Sequence, residues 1–239
     1  MSPLTTSPLD TKIGDLVLEQ PAAMRLFEGL NIDYCCGGHR TLAEACRVSD
    51  QDPEAVLLQL AALEAGAAAP TDPKVWADAP LSDLVAHIEA THHVFTRTEL
   101  ARVAPLMAKV AQVHGENHPE LARLEQCFQA MHADLIPHLE KEEQILFPYI
   151  RAMEQPSGPG GSCFGSVANP VNAMQAEHEA VGDLLREVRI LTHDYTPPAD
   201  GCASFRSLYM GLQQLEEDLH LHIYLESHLL FPRAVALEG

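Results

Sequence analysis

Six residues of this chain have the types and spacing of a metal-ligand set: His92, His138, Glu142, His178, His222 and Glu226. Four of them belong to a duplicated motif. His138-Leu-Glu-Lys-Glu142, closed by Leu146-Phe147-Pro148, returns 84 residues later as His222-Ile-Tyr-Leu-Glu226, closed by Leu230-Phe231-Pro232. On a helix, positions i and i+4 share a face one turn apart, so each histidine–glutamate pair can reach a common cation. One HxxxE is a weak signal, because solvated helices produce it by chance. Two copies with the same Leu-Phe-Pro are not explained that way.

A lone histidine precedes each pair: His92 stands 46 residues before His138, and His178 stands 44 before His222. If each pair of helices runs antiparallel from a common turn, residues at one height must be equally far from it. His92 and His138 each lie roughly 20 residues from a turn near 115, and His178 and His222 lie equally far from a turn near 199. At a rise of ~1.5 Å per residue, all four sit about 30 Å from those turns, in one layer. Among the other histidines, His114 and His118 fall in a turn, and His87, His93, His132, His193, His220 and His228 fall off the shared face or height. Of these, His93 is the nearest to joining the set, as the neighbour of His92.

Imidazole and carboxylate donors without a thiolate disfavour a structural zinc site, and two inward glutamates in a pseudo-symmetric setting suit a carboxylate-bridged pair of iron or manganese ions. Iron is the expected metal. One arrangement puts His92 and His138 on one ion and His178 and His222 on the other, with Glu142 and Glu226 bridging, although the pairing is not legible in sequence. Each ion would lack a full octahedron, leaving positions for oxygen, nitric oxide, water or an oxo bridge.

The elements that must position these residues are helices. Four segments, roughly 81–113, 118–153, 170–195 and 202–236, carry helical periodicity, and none alternates with the period of a strand. They are separated by His114-Gly115-Glu116-Asn117-His118-Pro119, by a glycine- and proline-rich stretch from Gln155 to Gly161, and by Thr196-Pro197-Pro198-Ala199-Asp200-Gly201. Short turns join antiparallel neighbours, so the expected assembly is an all-α, up-down-up-down four-helix bundle over residues 81–239. Pro105, Pro137, Pro148 and Pro232 fall inside these helices, where kinks are expected.

Ahead of the bundle, residues 1–66 read as a small helical domain and 67–80 as a linker rich in alanine and proline. Thr41-Leu-Ala-Glu44 has the form of a capping box, Asp52-Pro53 that of an N-cap with an N1 proline, and Pro21 can sit in a first turn. Between these pieces Asp33-Tyr34-Cys35-Cys36-Gly37-Gly38 can turn tightly and present adjacent thiols at a helix N-terminus, where backbone N–H groups lower a thiol pKa. The six cysteines are too dispersed for a disulfide framework and are read as thiols.

Composition narrows the partners. Fifteen basic against 34 acidic residues give a net charge of -19, which repels phosphate backbones and anionic headgroups, so neither nucleic acid nor a membrane is an expected partner. No stretch reaches 18 apolar residues and the first 25 lack the pattern of a signal peptide, so a cytoplasmic protein is expected.

Taken together, DYCCGG at 33–38, HLEKEEQILFP at 138–148, EHEA at 177–180 and HIYLESHLLFPRA at 222–234 resemble the repair-of-iron-centres family, hemerythrin-like di-iron proteins preceded by a small domain with a vicinal cysteine pair. Oxygen-carrying hemerythrins have a second histidine four residues after the third-helix ligand. Here position 182 is glycine, which implies a more open iron pair. The resemblance implies an oxo- and carboxylate-bridged pair of non-haem irons and repair of iron–sulfur clusters damaged by nitrosative or oxidative stress through supply of iron. It implies damaged iron–sulfur proteins and nitric oxide as partners, with Cys35 and Cys36 acting in redox chemistry or iron transfer. Sequestration of nitric oxide and its reduction are the alternative activities, and a homodimer is left open.

Overall fold

The computed structural model describes residues 7–63, 72–162 and 164–238, so part of the expected linker, residues 67–71, and Cys163 lie outside the described residues. The chain forms two compact units, Met1–Pro80 with Ile223–Arg233, and Leu81–His222 with Ala234–Gly239. Among the described residues there is no strand, only an isolated antiparallel bridge between Lys12 and Thr41.

The first unit contains α1 (Ile13–Glu19), α2 (Ala23–Gly29), α3 (Leu42–Val48), α4 (Pro53–Ala62) and the single turn α5 (Lys74–Ala77). Local chemistry explains the starts. The Thr41 hydroxyl accepts the Glu44 N–H while the Glu44 carboxylate accepts the Thr41 N–H, a complete capping box, and Asp52 accepts the Glu54 N–H ahead of Pro53. Ile13, Val17, Phe27, Leu42 and Cys46 close a small core. Within the same unit the Tyr224 hydroxyl donates to the Gly14 carbonyl at 2.8 Å.

Four long helical rods follow. The first is α6 (Leu81–Ile88), a π turn (Glu89–His93) and α7 (Val94–His114); the second is α8 (Glu120–Lys141), a π turn (Glu142–Leu146) and α9 (Phe147–Met153). The third is α10 (Ala168–Leu191), and the fourth is α11 (Ala203–Tyr224), a π turn (Leu225–Leu230) and α12 (Phe231–Glu238). Contacts at the rod ends give the direction. Glu154, just past α9, accepts the N–H groups of Leu81 and Ser82 at the start of α6, so the first two rods are antiparallel. Glu238 at the end of α12 accepts the Val167 N–H that opens α10, so the last two are antiparallel as well. Arg123 near the start of α8 grips Glu187 near the end of α10, which sets the second rod against the third. The protein is an all-α, up-down-up-down bundle preceded by short helices.

Between the ligand histidines and the turns the bundle is filled by Leu100, Val103, Met107, Leu121, Leu124, Met131, Leu185, Leu208, Leu212 and Leu215. This buried apolar layer fixes the heights of the rods and keeps water from the polar layer above it.

Pro105 and Pro137 lie inside α7 and α8. Pro148 and Pro232 are placed differently, each at the second residue after a π turn. The carbonyl that each ring would strike in an α-helix, that of Gln144 or His228, lies inside the π turn, where the hydrogen-bond ladder is already displaced. The irregularity expected at these two prolines therefore takes the form of a π turn.

Glu154 and Glu238 are themselves 84 residues apart, so the duplication extends past the two prolines. Each caps the first helix of its own hairpin with a carboxylate against the N–H groups at the helix start and the positive end of the helix dipole. Glu154→Ala is expected to cost about 1–2 kcal/mol of stability, read as a lower denaturant midpoint at unchanged slope, with helix content retained. An unchanged midpoint would show that the carboxylate contributes nothing.

Candidate metal centre

The two HxxxE pairs deliver their side chains to one buried layer. His138 closes α8 and Glu142 opens the π turn after it; His222 lies near the end of α11 and Glu226 is in the π turn that follows. Two groups of ligand atoms result, each within 4.8 Å of one another: His138, Glu142, His178 and Glu226, and His93, Glu142, His222 and Glu226. Glu142 and Glu226 belong to both groups, so a cation in each group would share two carboxylates with the other.

The distances suit a metal. His138 Nε2 lies 3.1 Å from His178 Nε2 and 3.4 Å from Glu142 Oε1, and His93 Nε2 lies 3.4 Å from Glu142 Oε2. Two nitrogens bound side by side on one ion with bonds of ~2.1 Å stand about 3 Å apart. Outer carboxylates aim the rings: His138 Nδ1 is 2.8 Å from Glu177, itself paired with Lys141, and His93 Nδ1 is 2.8 Å from Glu143, which Arg97 holds at 2.7 and 3.0 Å. Such partners fix the tautomer, leaving the Nε2 lone pair turned inward. Burial pushes both outer carboxyls up, but the hydrogen bonds from Arg97 and His93 to Glu143, and from Lys141 and His138 to Glu177, outweigh it and hold both below the usual carboxylate range.

Glu142 and Glu226 are both 0% exposed. Two carboxylates buried within 4.8 Å of each other repel and lose their hydration, a cost of several kcal/mol that a shared cation removes. The donor set of imidazole nitrogens and carboxylate oxygens fits a pair of first-row transition ions.

The structure sets one expected ligand apart from both groups. His92 lies outside both groups: its Nδ1 is 2.9 Å from Asp218, its buried Nε2 has no hydrogen-bond partner among the described residues, and its ring stacks on His222 at 5.4 Å. His93 lies in one of the two groups, where the sequence reading expected His92. The cause is the π turn Glu89–His93, which changes the phase of the helix by one residue. A signal was present in the spacing, since His93 is 45 residues before His138, closer than 46 to the 44 of the other pair. The pairing also differs from the one drawn from sequence, as His138 groups with His178, and His93 with His222.

Cys35 and Cys36 sit in the turn between α2 and α3, six and five residues before the Thr41 N-cap, and not at a helix N-terminus. The hydrogen bond with Cys36 and burial push the Cys35 thiol well above its ordinary value, opposite to the lowering expected from sequence. Among the described residues Cys202 is the cysteine whose pKa falls, to about 7, through the Phe205 N–H and His114.

A four-helix bundle with paired imidazole–carboxylate groups in its interior defines a hemerythrin-type cation-binding protein. Residues 83–234 match the family model of the hemerythrin HHE cation binding domain, and the chain belongs to that family. Residues 9–64 match the ScdA_N family, described as a domain of unknown function (DUF542). Over 229 residues the chain is 37% identical to the iron-sulfur cluster repair protein YtfE of Shigella boydii serotype 4 (strain Sb227), covering 96% of this chain and 98% of that protein. It is 36% identical, over the same length and with the same coverage, to the proteins of that name from Citrobacter koseri and Escherichia coli O157:H7. The resemblance to the iron-centre repair family therefore holds along the chain. No helix among the described residues is long and apolar enough to cross a membrane.

Proposed function

We propose that this protein holds two non-haem irons through His93, His138, Glu142, His178, His222 and Glu226, and that it repairs iron–sulfur clusters damaged by nitrosative or oxidative stress by supplying iron. The observation that carries this reading is the sharing of Glu142 and Glu226 between two ligand groups, since a shared pair of carboxylates is what two adjacent cations need. The relatives named for iron–sulfur cluster repair, similar over nearly the full length, supply the biological direction.

Each position offers two imidazoles and two shared carboxylates, fewer donors than an octahedral ion accepts. Iron so held would bind nitric oxide at the open positions, and it would be released more readily than from a saturated cage. The chain's own part is to keep the rings aimed through Glu177 and Glu143, to exclude water with the buried apolar layer, and to hold two negative charges ready for a cation.

Iron-loaded protein is expected to restore activity to a nitric-oxide-damaged iron–sulfur enzyme, with loss of iron from the donor matching clusters rebuilt. Equal recovery with free ferrous iron at the same concentration would remove the case for donation. A stable nitrosyl without recovery would point to sequestration, and nitrous oxide formed under reducing single-turnover conditions would point to reduction.

A further inference from the structure

The first unit carries another group of ligand-type side chains, which shares no residue with the two histidine groups: Asp33, Cys35 and Cys36, whose donor atoms lie within 4.8 Å of one another. Both thiols are free, with their sulfurs 3.9 Å apart, and Asp33 Oδ1 is 3.3 Å from Cys35 Sγ. A disulfide would need the sulfurs at ~2.05 Å. A tetrahedral cation with bonds of ~2.3 Å to sulfur and ~2.0–2.2 Å to oxygen sets two sulfurs about 3.8 Å apart, and sulfur and oxygen about 3.5 Å apart. The observed separations lie close to the second arrangement and far from the first.

The chain is built to keep the three side chains there. Asp33 Oδ1 accepts the Cys36 N–H at 2.9 Å, closing a turn across the pair. Tyr34 between them is buried, with its hydroxyl donating to Glu28 at 2.9 Å and its ring 6.4 Å from that of Phe27, so the turn is anchored from below. The next two residues must be glycine: a Cβ at position 37 would lie 2.5 Å from the Asp33 carbonyl oxygen, and one at 38 would lie 2.7 Å from that of Tyr34. The backbone folds back over the pair at a distance that no side chain permits. Cys35 is buried, while Asp33 and Cys36 are partly exposed and leave a path for an ion.

We propose that Asp33, Cys35 and Cys36 form a binding site for a thiophilic divalent cation of the zinc class, with one coordination position left open. Binding exchanges one divalent cation for two thiol protons, which pass to solvent, and no electron moves. Two thiolates and a carboxylate around a divalent ion leave a net charge of about -1, with soft donors that discriminate against magnesium and calcium. The proton release makes affinity rise by as much as about a hundredfold per pH unit below the thiol pKa values. The site uses residues of the first unit alone and stands whether or not the histidine centre holds iron.

The test uses the reduced full-length chain under anaerobic conditions, titrated with cadmium(II) as a spectroscopic stand-in for zinc. The expected result is an ultraviolet thiolate-to-cadmium charge-transfer band whose limiting amplitude corresponds to one two-thiolate site per chain and which is abolished by zinc. Histidine and carboxylate sites bind cadmium without such a band. Cys35→Ser/Cys36→Ser should lose the band, and Asp33→Asn should keep it with affinity at least tenfold lower. Because Cys35 is buried, Cys36→Ser alone serves as the control for folding, with about half the band expected at native helix content. A band unchanged in the Cys36→Ser and double variants would assign the thiolates to other cysteines, and absence of any band in the parent chain would overturn the proposal outright.

Discussion

Replacing His93 by alanine is expected to lower bound iron from two ions per chain to one, whereas replacing His92 is expected to leave both. The reason is geometric. His93 Nε2 faces Glu142 at 3.4 Å with its other nitrogen committed to Glu143, while His92 is tied to Asp218 and stacked behind His222. Outer partners of a ligating histidine alone are worth ~10–100-fold in metal affinity, so loss of the ligand should weaken its position by about 100-fold or more. His92→Ala should instead act on stability, at about 1–3 kcal/mol, because it leaves the Asp218 carboxylate without its imidazole and opens space beside His222. Iron analysis and thermal unfolding of the two variants separate the effects. Intact iron in the His93 variant with loss in the His92 variant would reverse the assignment.

The second large effect concerns the shared carboxylates, and its sign differs between the loaded and metal-free chains. Glu142→Gln/Glu226→Gln preserves shape but removes the two charges common to both cation positions, so both positions should be lost together. In the metal-free chain the same change removes the repulsion between two fully buried carboxylates, and stability should hold or rise. Iron at 100 times its dissociation constant should stabilise the parent chain by ~2.7 kcal/mol for each position filled and leave the double variant unmoved. The measurement is the iron-induced shift in unfolding midpoint for both proteins. An equal shift in the double variant would mean that iron is held elsewhere.

The bundle was legible in sequence because its signals are redundant. Periodicity marked the rods, Gly115 and the Thr196–Gly201 stretch marked the turns, and the repeated HxxxExxxLFP stated that two hairpins face each other. The same repeat placed His138, Glu142, His222 and Glu226 in one layer, where the groups of ligand atoms are found. What escaped was phase. One residue turns a helix by about 100°, and a π turn inserts such a step without a marker of its own, so a height argument good to a few residues could not choose between His92 and His93. The prolines at 148 and 232 were indirect markers, read as kinks when they in fact follow π turns.

The cysteine turn was misread for a different reason. The two glycines of DYCCGG do allow a tight turn, but they serve a backbone that folds back over Asp33 and Tyr34, and α3 starts only after Thr41. The Cys35 thiol is consequently pushed up by its hydrogen bond with Cys36 and by burial, with no helix terminus to oppose them. Glu154 and Glu238 went unnoticed because their partners, the N–H groups of Leu81, Ser82 and Val167, are more than 70 residues away in the chain. Only their separation of 84, equal to that of the motif, hinted that they act as a pair.

The most direct test of the paired-cation centre is the iron content and Mössbauer spectrum of the full-length chain reconstituted anaerobically with ferrous iron. Two irons per chain that couple magnetically on oxidation are the predicted result. A chain that binds no iron, or a single uncoupled ion whose spectrum is unaltered by Glu142→Gln/Glu226→Gln, would contradict it.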